Sequence, residues 1–331
     1  MLLLGRRDGV RSTDPLELGK EMASTPSLTW GDSYVRSGMA GSISKRSQSK
    51  LPGRLPCGNR ECSGSRALPW RSRRRPIFEG QWGCSARCVE AMVRAAVRRE
   101  YFERSNPTEG VPHRHRVPLG LVLLAQGWIT QPQLQSALDA QRAQGGRIGD
   151  WLVAQCGIER QQITRGLSAQ WGCPVLTTSG FEPKEMALVM PKVFVNEFGA
   201  VPVRTAGGRL LYLGFEDRLD ATLALALEHM TGLRVESGLL SSEEFQSARR
   251  SLFAADYVAE NLERVPDTSF MASRIAVLLE QKQPVNARLV RLHQYFWLRL
   301  WLENGAMSET GVLPRNPEDM LDHIFLIRSI A

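Results

Sequence analysis

Four cysteines stand in two close pairs toward the front of this 331-residue chain. Four residues separate Cys57 from Cys62, three separate Cys84 from Cys88, and twenty-one lie between the pairs. Zn2+ takes four ligands in a tetrahedron, and two short-spaced thiol pairs brought together supply them. The stretch Cys57-Gly58-Asn59-Arg60-Glu61-Cys62 is a polar turn able to wrap a metal. Cys84-Ser85-Ala86-Arg87-Cys88 opens a helix, with Ser85 as N-cap and Val89, Met92, Val93, Ala96 and Val97 along one face. Four unliganded thiols in a small core are the plainer alternative. Arg71, Arg73, Arg74 and Arg75, with Trp70 and Trp82 near, form a basic and aromatic group that suits nucleic acid or an ordinary solvated face.

A second constellation is a 24-residue pattern used twice, with five residues between the copies. Pro118 to Gln141 is the first and Arg147 to Gln170 the second. In register, Gly120 matches Gly149, Leu123-Leu124 matches Leu152-Val153, Gln126 matches Gln155, Ile129 matches Ile158, Leu134 matches Ile163, Leu138 matches Leu167 and Gln141 matches Gln170. So many ungapped matches indicate one structural unit used twice. Each copy reads as helix, turn, helix. Gly127 or Gly157 ends the first helix, Thr130 caps the second in copy one, and the leucine or isoleucine pairs four apart share a face.

The elements that position these residues follow from the rest of the chain. Hydrophobic residues make up 43% and charged residues 23%, ordinary for a protein with a sizeable core. Residues 1–117 hold 22 Lys/Arg against 11 Asp/Glu, and the remainder 20 against 23, so the net charge of +8 belongs to the front third. Residues 1–50 lack apolar periodicity and read as a disordered basic tail. Residues 51–105 form a zinc-finger-like unit around the four paired cysteines, with a short hairpin expected from Leu68–Arg71 and Pro76–Trp82, and a polar linker follows. Residues 113–180 hold the tandem repeat. Residues 181–253 alternate helix and strand signals: a helix opened by Pro191, strands at Ala200–Val203 and Leu210–Gly214, a helix capped by Asp220, a strand at Leu233–Glu236, and a helix capped by Ser241 or Ser242 with Glu244. Residues 254–331 read as helical, Pro284 dividing Ile275, Leu278 and Leu279 from Leu289, Leu292, Phe296, Trp297, Leu300 and Trp301. The fold class expected is α+β and multidomain: zinc finger, helical tandem repeat, small α/β unit, C-terminal helices. No run approaches the ~18–20 apolar residues of a membrane span. The expected location is cytoplasmic, where paired cysteines favour metal over disulfides.

Knuckle, hairpin and a helix carrying the last ligand pair resemble a treble-clef zinc finger. The repeat, with its Gly, two aliphatics and closing Gln, resembles the N-terminal domain of type II secretion and type IV pilus assembly ATPases. These are the GspE and MshE-type N-terminal domains. The likeness extends through Trp171-Gly172-Cys173-Pro174-Val175 and covers about residues 113 to 253. In the MshE subgroup two such motifs bind cyclic di-GMP, each taking one half of the two-fold ligand. The resemblance implies a site made of Leu119, Gly120, Leu123, Leu124 and Gln141 from the first motif. The second offers Arg147, Ile148, Gly149, Leu152, Val153 and Gln170. Pro118 replaces the first motif's opening Arg, Cys156 stands where the second has Gly, and Trp128 replaces an aliphatic.

The chain contains no phosphate loop of the form G-x-x-x-x-G-K-[ST] and no HExxH, GxSxG or GxGxxG. His113 and His115 lie in the polar linker. Catalysis is therefore not expected. The expectation is a non-catalytic binding or regulatory module that takes cyclic di-GMP or docks a protein partner of the secretion, pilus or signalling type. The alternative is a zinc-dependent nucleic-acid-binding regulatory protein.

Overall fold

The computed structural model describes residues 57–62, 76–102, 117–303 and 316–327. All lie in the compact unit Gly53–Ala331. The expected basic tail, Trp70, Arg71, Arg73, Arg74, Arg75, His113, His115 and the strand at Leu68–Arg71 fall outside the described residues. The architecture is α+β, and three small sheets occur among the described residues.

The Cys-rich stretch gives a hairpin, β1 (Ile77–Phe78) and β2 (Gln81–Trp82), then helix α1 (Ala86–Phe102). The hairpin lies wholly within Pro76–Trp82. Its turn residues Glu79 and Gly80 both have positive φ, 50° and 72°, the geometry of a tight two-residue connection. Ser85 caps α1 by accepting from Cys88 N at 3.3 Å.

The repeat folds as expected into two helix pairs: α2 (Leu119–Ala125) with α3 (Gln131–Gln144), and α4 (Ile148–Cys156) with α5 (Arg160–Trp171). Both second helices open with a capping box, Thr130 with Gln133 and Glu159 with Gln162, at matching positions. Gly157 ends α4 in the left-handed region, and Gly127 follows α2 at φ 70°. The pairs are cross-packed, with α3 against α4 and α2 against α5. Their core holds Leu119, Leu123, Ile129, Leu134, Ala137, Leu152 and Ile158. A Cβ on Gly120 would stand 2.5 Å from Leu134, and one on Gly149 would stand 3.0 Å from Ile163. Leu134 and Ile163 are themselves repeat partners, so the pseudo-twofold extends to packing. Leu138 and Leu167 are half-buried on the flank of this core.

Residues 183–253 form α6 (Pro183–Met186), α7 (Lys192–Phe198), β3 (Ala200–Ala206), β4 (Leu210–Phe215), α8 (Ala221–Thr231), β5 (Arg234–Leu239) and α9 (Ser242–Phe253). Strands β3 and β4 are antiparallel, and β4 runs parallel to β5 through the α8 crossover. Asp220 caps α8 and Ser241 caps α9, as the sequence signals indicate.

The C-terminal region departs from expectation. Residues 254–331 contain one α-helix among the described residues, α10 (Thr268–Lys282), and four strands. The strands are β6 (Ala259–Val265), β7 (Asn286–Leu292), β8 (Tyr295–Trp301) and β9 (Met320–Ile327), in the order β6-β9-β8-β7. The supposed second helix after Pro284 is the β7–β8 hairpin. Strand β8 is buried along its whole length, so the in–out alternation of a half-buried strand is missing. One face of the sheet presents Ala287, Leu289, Phe296, Leu298, Leu300 and Phe325 to a core shared with α1 and α10. The other presents Val290, Leu292, Tyr295, Trp297, Trp301, Met320 and Ile324 to the core of residues 176–258.

Residues 76–102 do not pack by themselves. Phe78, Val89, Met92, Val93, Ala96 and Val97 belong to the same core as the C-terminal sheet. Fully burying a large apolar side chain stabilises by roughly 1.5–3 kcal/mol, so α1 has strong reason to lie there.

Candidate ligand cavity and metal centre

A cavity of about 450 Å³ opens where the repeat meets the α/β unit. Its floor is the second motif. Arg147 precedes α4 in extended conformation, Ile148 and Gly149 begin that helix, and Val153 follows about one turn later. Helix α5 adds Arg160, Ile163, Thr164, Leu167 and Gln170, followed by Trp171. The first motif contributes Leu119 and Gln141. Glu216, Asp217 and Arg218 from the β4–α8 connection and Ser242 from α9 form the opposite wall.

The closing glutamines show how the repeat shapes this place. Gln141 donates from Nε2 to Gly146 O at 2.9 Å, and Gln170 from Nε2 to Val117 O at 2.8 Å. Each therefore fixes the residue that precedes the other motif. Arg147 reaches across the opening, its Nη1 3.2 Å from Asp217 Oδ2 and 3.5 Å from Glu216 Oε2. Its side chain remains 58% exposed, so the ion pair is worth little and leaves the guanidinium available. Glu216 is held in turn by Ser242 Oγ, which donates to Oε1 at 2.9 Å.

Of the residues the resemblance implies, Leu119, Gln141, Arg147, Ile148, Gly149, Val153 and Gln170 line the cavity. Gly120, Leu123, Leu124 and Leu152 are not among its lining residues. Leu123 and Leu152 are fully buried in the helical core, and Leu124 packs on it from the side. Gly120 is where α2 meets Leu134. These positions shape the scaffold. The acidic wall carries no motif that a sequence scan would flag, because it comes from another subdomain and faces the site only through the fold.

The four paired cysteines converge as their spacing predicts. The sulfurs of Cys57, Cys62, Cys84 and Cys88 all lie within 4.8 Å of one another, Cys62 to Cys84 at 3.4 Å and Cys84 to Cys88 at 3.5 Å. Asn59 Nδ2 donates to Cys88 Sγ at 3.5 Å and Cys84 N to Cys57 Sγ at 3.4 Å. Burial, reinforced by the neighbouring thiols, pushes Cys84 up to about 12. At Cys88 burial also acts upward, but the side chains of Ser85, Asn59, Cys84 and Cys62 together outweigh it and bring the thiol to about 6. Four sulfurs this close, one of them accepting from Asn59 Nδ2, form a group that can hold a metal ion. Cys156 and Cys173 lie outside this group, and burial raises both thiols.

No family model matches the chain. A type IV pilus assembly ATPase, PilB of Myxococcus xanthus, is 31% identical over 138 residues, 41% of this chain and 24% of that protein. The bacteriophage adsorption protein B of Escherichia coli is 27% identical over 138 residues, 41% of this chain and 18% of that one. Among solved structures, that of MshE with cdg shows 24% identity and a TM-score of 0.35, covering 41% of this chain and 98% of the other. The chain thus spans about a quarter or less of the length of these curated relatives. Over some two-fifths of its own length, this chain is similar to a type IV pilus assembly ATPase.

Proposed function

We propose that the chain is a non-catalytic binding module, cytoplasmic in location, whose repeat cavity takes cyclic di-GMP and whose four cysteines hold a structural Zn2+. The observation that carries the ligand reading is the cavity built on Arg147, Ile148, Gly149, Val153 and Gln170. A guanidinium beside aliphatic side chains offers a purine a surface to stack on. A volume of about 450 Å³ is of the size that takes a small organic ligand. A relative named for bacteriophage adsorption rather than for pilus assembly supports a module that is combined with different machinery. Calorimetric titration of the full chain with cyclic di-GMP tests the reading: saturable heat is expected, and none at high micromolar ligand would overturn it.

Protein docking is the second reading, and one observation favours it. At the first motif Val117 and Leu121 are 54% and 52% exposed, an apolar pair beside Pro118. A repeat that serves as a docking scaffold would bind no nucleotide, and Val117→Asp with Leu121→Asp would then abolish capture of the partner.

A further inference from the structure

The four-cysteine group adjoins the hairpin that meets the C-terminal sheet. The cluster leads into the β1–β2 hairpin, and the hairpin lies along the open edge of β7. Ile77 N donates to Pro284 O at 3.2 Å and Glu79 N to Ala287 O at 2.7 Å. Gly80 N donates to Asn286 Oδ1 at 3.2 Å, across 206 residues of sequence. Two-residue strands cannot hold themselves together in water, so something else must fix this hairpin. Gly58 N donates to Trp82 O at 2.8 Å, tying the first cysteine turn to its outgoing strand. Cys84 and Cys88 flank the start of α1.

Helix α1 then runs over the sheet. Its inner residues Val93, Ala96 and Val97 share a core with Ile275 and Leu279 of α10 and with Leu289 and Phe296. At its far end buried Glu100 accepts from Arg291 N at 2.9 Å, and Tyr101 O accepts from Arg291 Nη1 at 2.8 Å. The helix is thus pinned to β7 by polar contacts at one end and by the cysteine turns at the other.

Resting on the zinc reading, we infer that the metal is a clasp for a discontinuous domain. It holds the hairpin and the front half of α1 against β7, and so closes a sheet encoded at the opposite end of the chain. Residues 117–253 are carried between its two parts. Loss of the metal frees the hairpin from the β7 edge and loosens the front half of α1, while the contacts of Glu100 and Tyr101 with Arg291 keep its far end in place. The metal state then decides whether an unpaired strand edge is presented. The repeat cavity lies in the inserted part and should keep its structure.

The test uses the full chain purified with zinc, its metal content measured, then stripped with excess chelator and followed by amide hydrogen exchange. Exchange across 86–102 and 286–301 is expected to accelerate roughly tenfold or more, with 131–144 and 160–171 unchanged, and zinc readdition should restore protection. Unchanged exchange at 286–301 after loss of bound zinc overturns the clasp while leaving the metal site intact. Equal acceleration throughout 131–171 also overturns it, since the metal would then hold the whole molecule. Protein that neither contains nor takes up zinc overturns the clasp and the zinc reading together, leaving the cyclic di-GMP titration untouched.

Discussion

Arg299 and Asp322 make the sharpest stability prediction. They face each other across β8 and β9, with side chains 2% and 0% exposed. The guanidinium meets both carboxylate oxygens, Nε to Oδ1 at 2.8 Å and Nη2 to Oδ2 at 2.7 Å. Its Nη1 donates to Leu188 O at 2.8 Å and Val189 O at 3.1 Å, so the pair ties the sheet to the loop after α6. Trp297 Nε1 donates to Asp322 Oδ1 at 2.8 Å. Removing one member of a buried pair strands the other, at a cost of about 3–5 kcal/mol. For a body of this size that corresponds to a fall in Tm of roughly 10 °C. Arg299→Met and Asp322→Asn should both reach it in thermal or urea unfolding followed by far-ultraviolet circular dichroism. Their pH behaviour should differ, because an abandoned buried carboxylate can take up a proton while an abandoned guanidinium cannot release one. The deficit of Arg299→Met should therefore shrink from pH 8 to pH 5, and that of Asp322→Asn should not. Deficits under about 1 kcal/mol in both variants would mean that water reaches the pair or that the pair does not join the two parts.

Arg147→Ala should remove most cyclic di-GMP binding by calorimetry, and Pro118→Arg should strengthen it up to about tenfold, ~1.4 kcal/mol, by restoring a cation to the first motif. His323 is 7% exposed with Nδ1 buried and unpartnered, and burial holds its imidazole below the ordinary 6.5, with Asp322 and Glu263 opposing and Arg274 and Lys282 assisting. A depressed folded-state value stabilises above the unfolded value and is lost as pH falls below it, so wild-type Tm should drop from about pH 6.5 downward and His323→Phe should flatten that slope. Gly120→Ala places a methyl 2.5 Å from buried Leu134 and should cost about 1–3 kcal/mol in urea unfolding, more than Gly149→Ala, whose methyl meets Ile163 at 3.0 Å.

The helical repeat was legible because its signals are local. Thr130 with Gln133, and the glycines after α2 and α4, state helix ends within a few residues of sequence. The α/β unit was legible for the same reason, through Asp220 and Ser241. The β7–β8 hairpin was not. Leu289, Leu292, Phe296 and Leu300 follow one another at three, four and four residues, the spacing of a helix face. They imitate a helix because cores cover both sides of the sheet, so apolar residues stand on both faces of β7 and at every position of β8 except Arg299. The turn gave no warning either, since His293 takes φ 53° without a glycine or asparagine to announce it. Of the ligand site, the part contributed by the motifs could be read. Glu216, Asp217 and Ser242 could not, because what brings them to Arg147 is tertiary packing.

The twofold of the repeat is built into its packing and broken at its surface. Cross-pairing makes each copy depend on the other: Leu123 of the first packs where Gly166 of the second has no side chain, and Cys156 Sγ of the second lies 3.5 Å from Gln133 O of the first. Neither pair can bury its leucines alone, which is why the pattern must occur twice. At the surface the two corners diverge. The corner at Arg147 is walled by Glu216, Asp217 and Ser242, and its cation is oriented by two carboxylates. The corresponding residue at the other corner is Pro118, with no charge to orient and two exposed apolar neighbours. A ligand that is itself two-fold would meet one polar, enclosed half-site and one apolar, open one. Affinity for such a ligand would then be set mainly by the enclosed half. Among the described residues the open half presents Val117 and Leu121, which suit a flat apolar partner better than a phosphate.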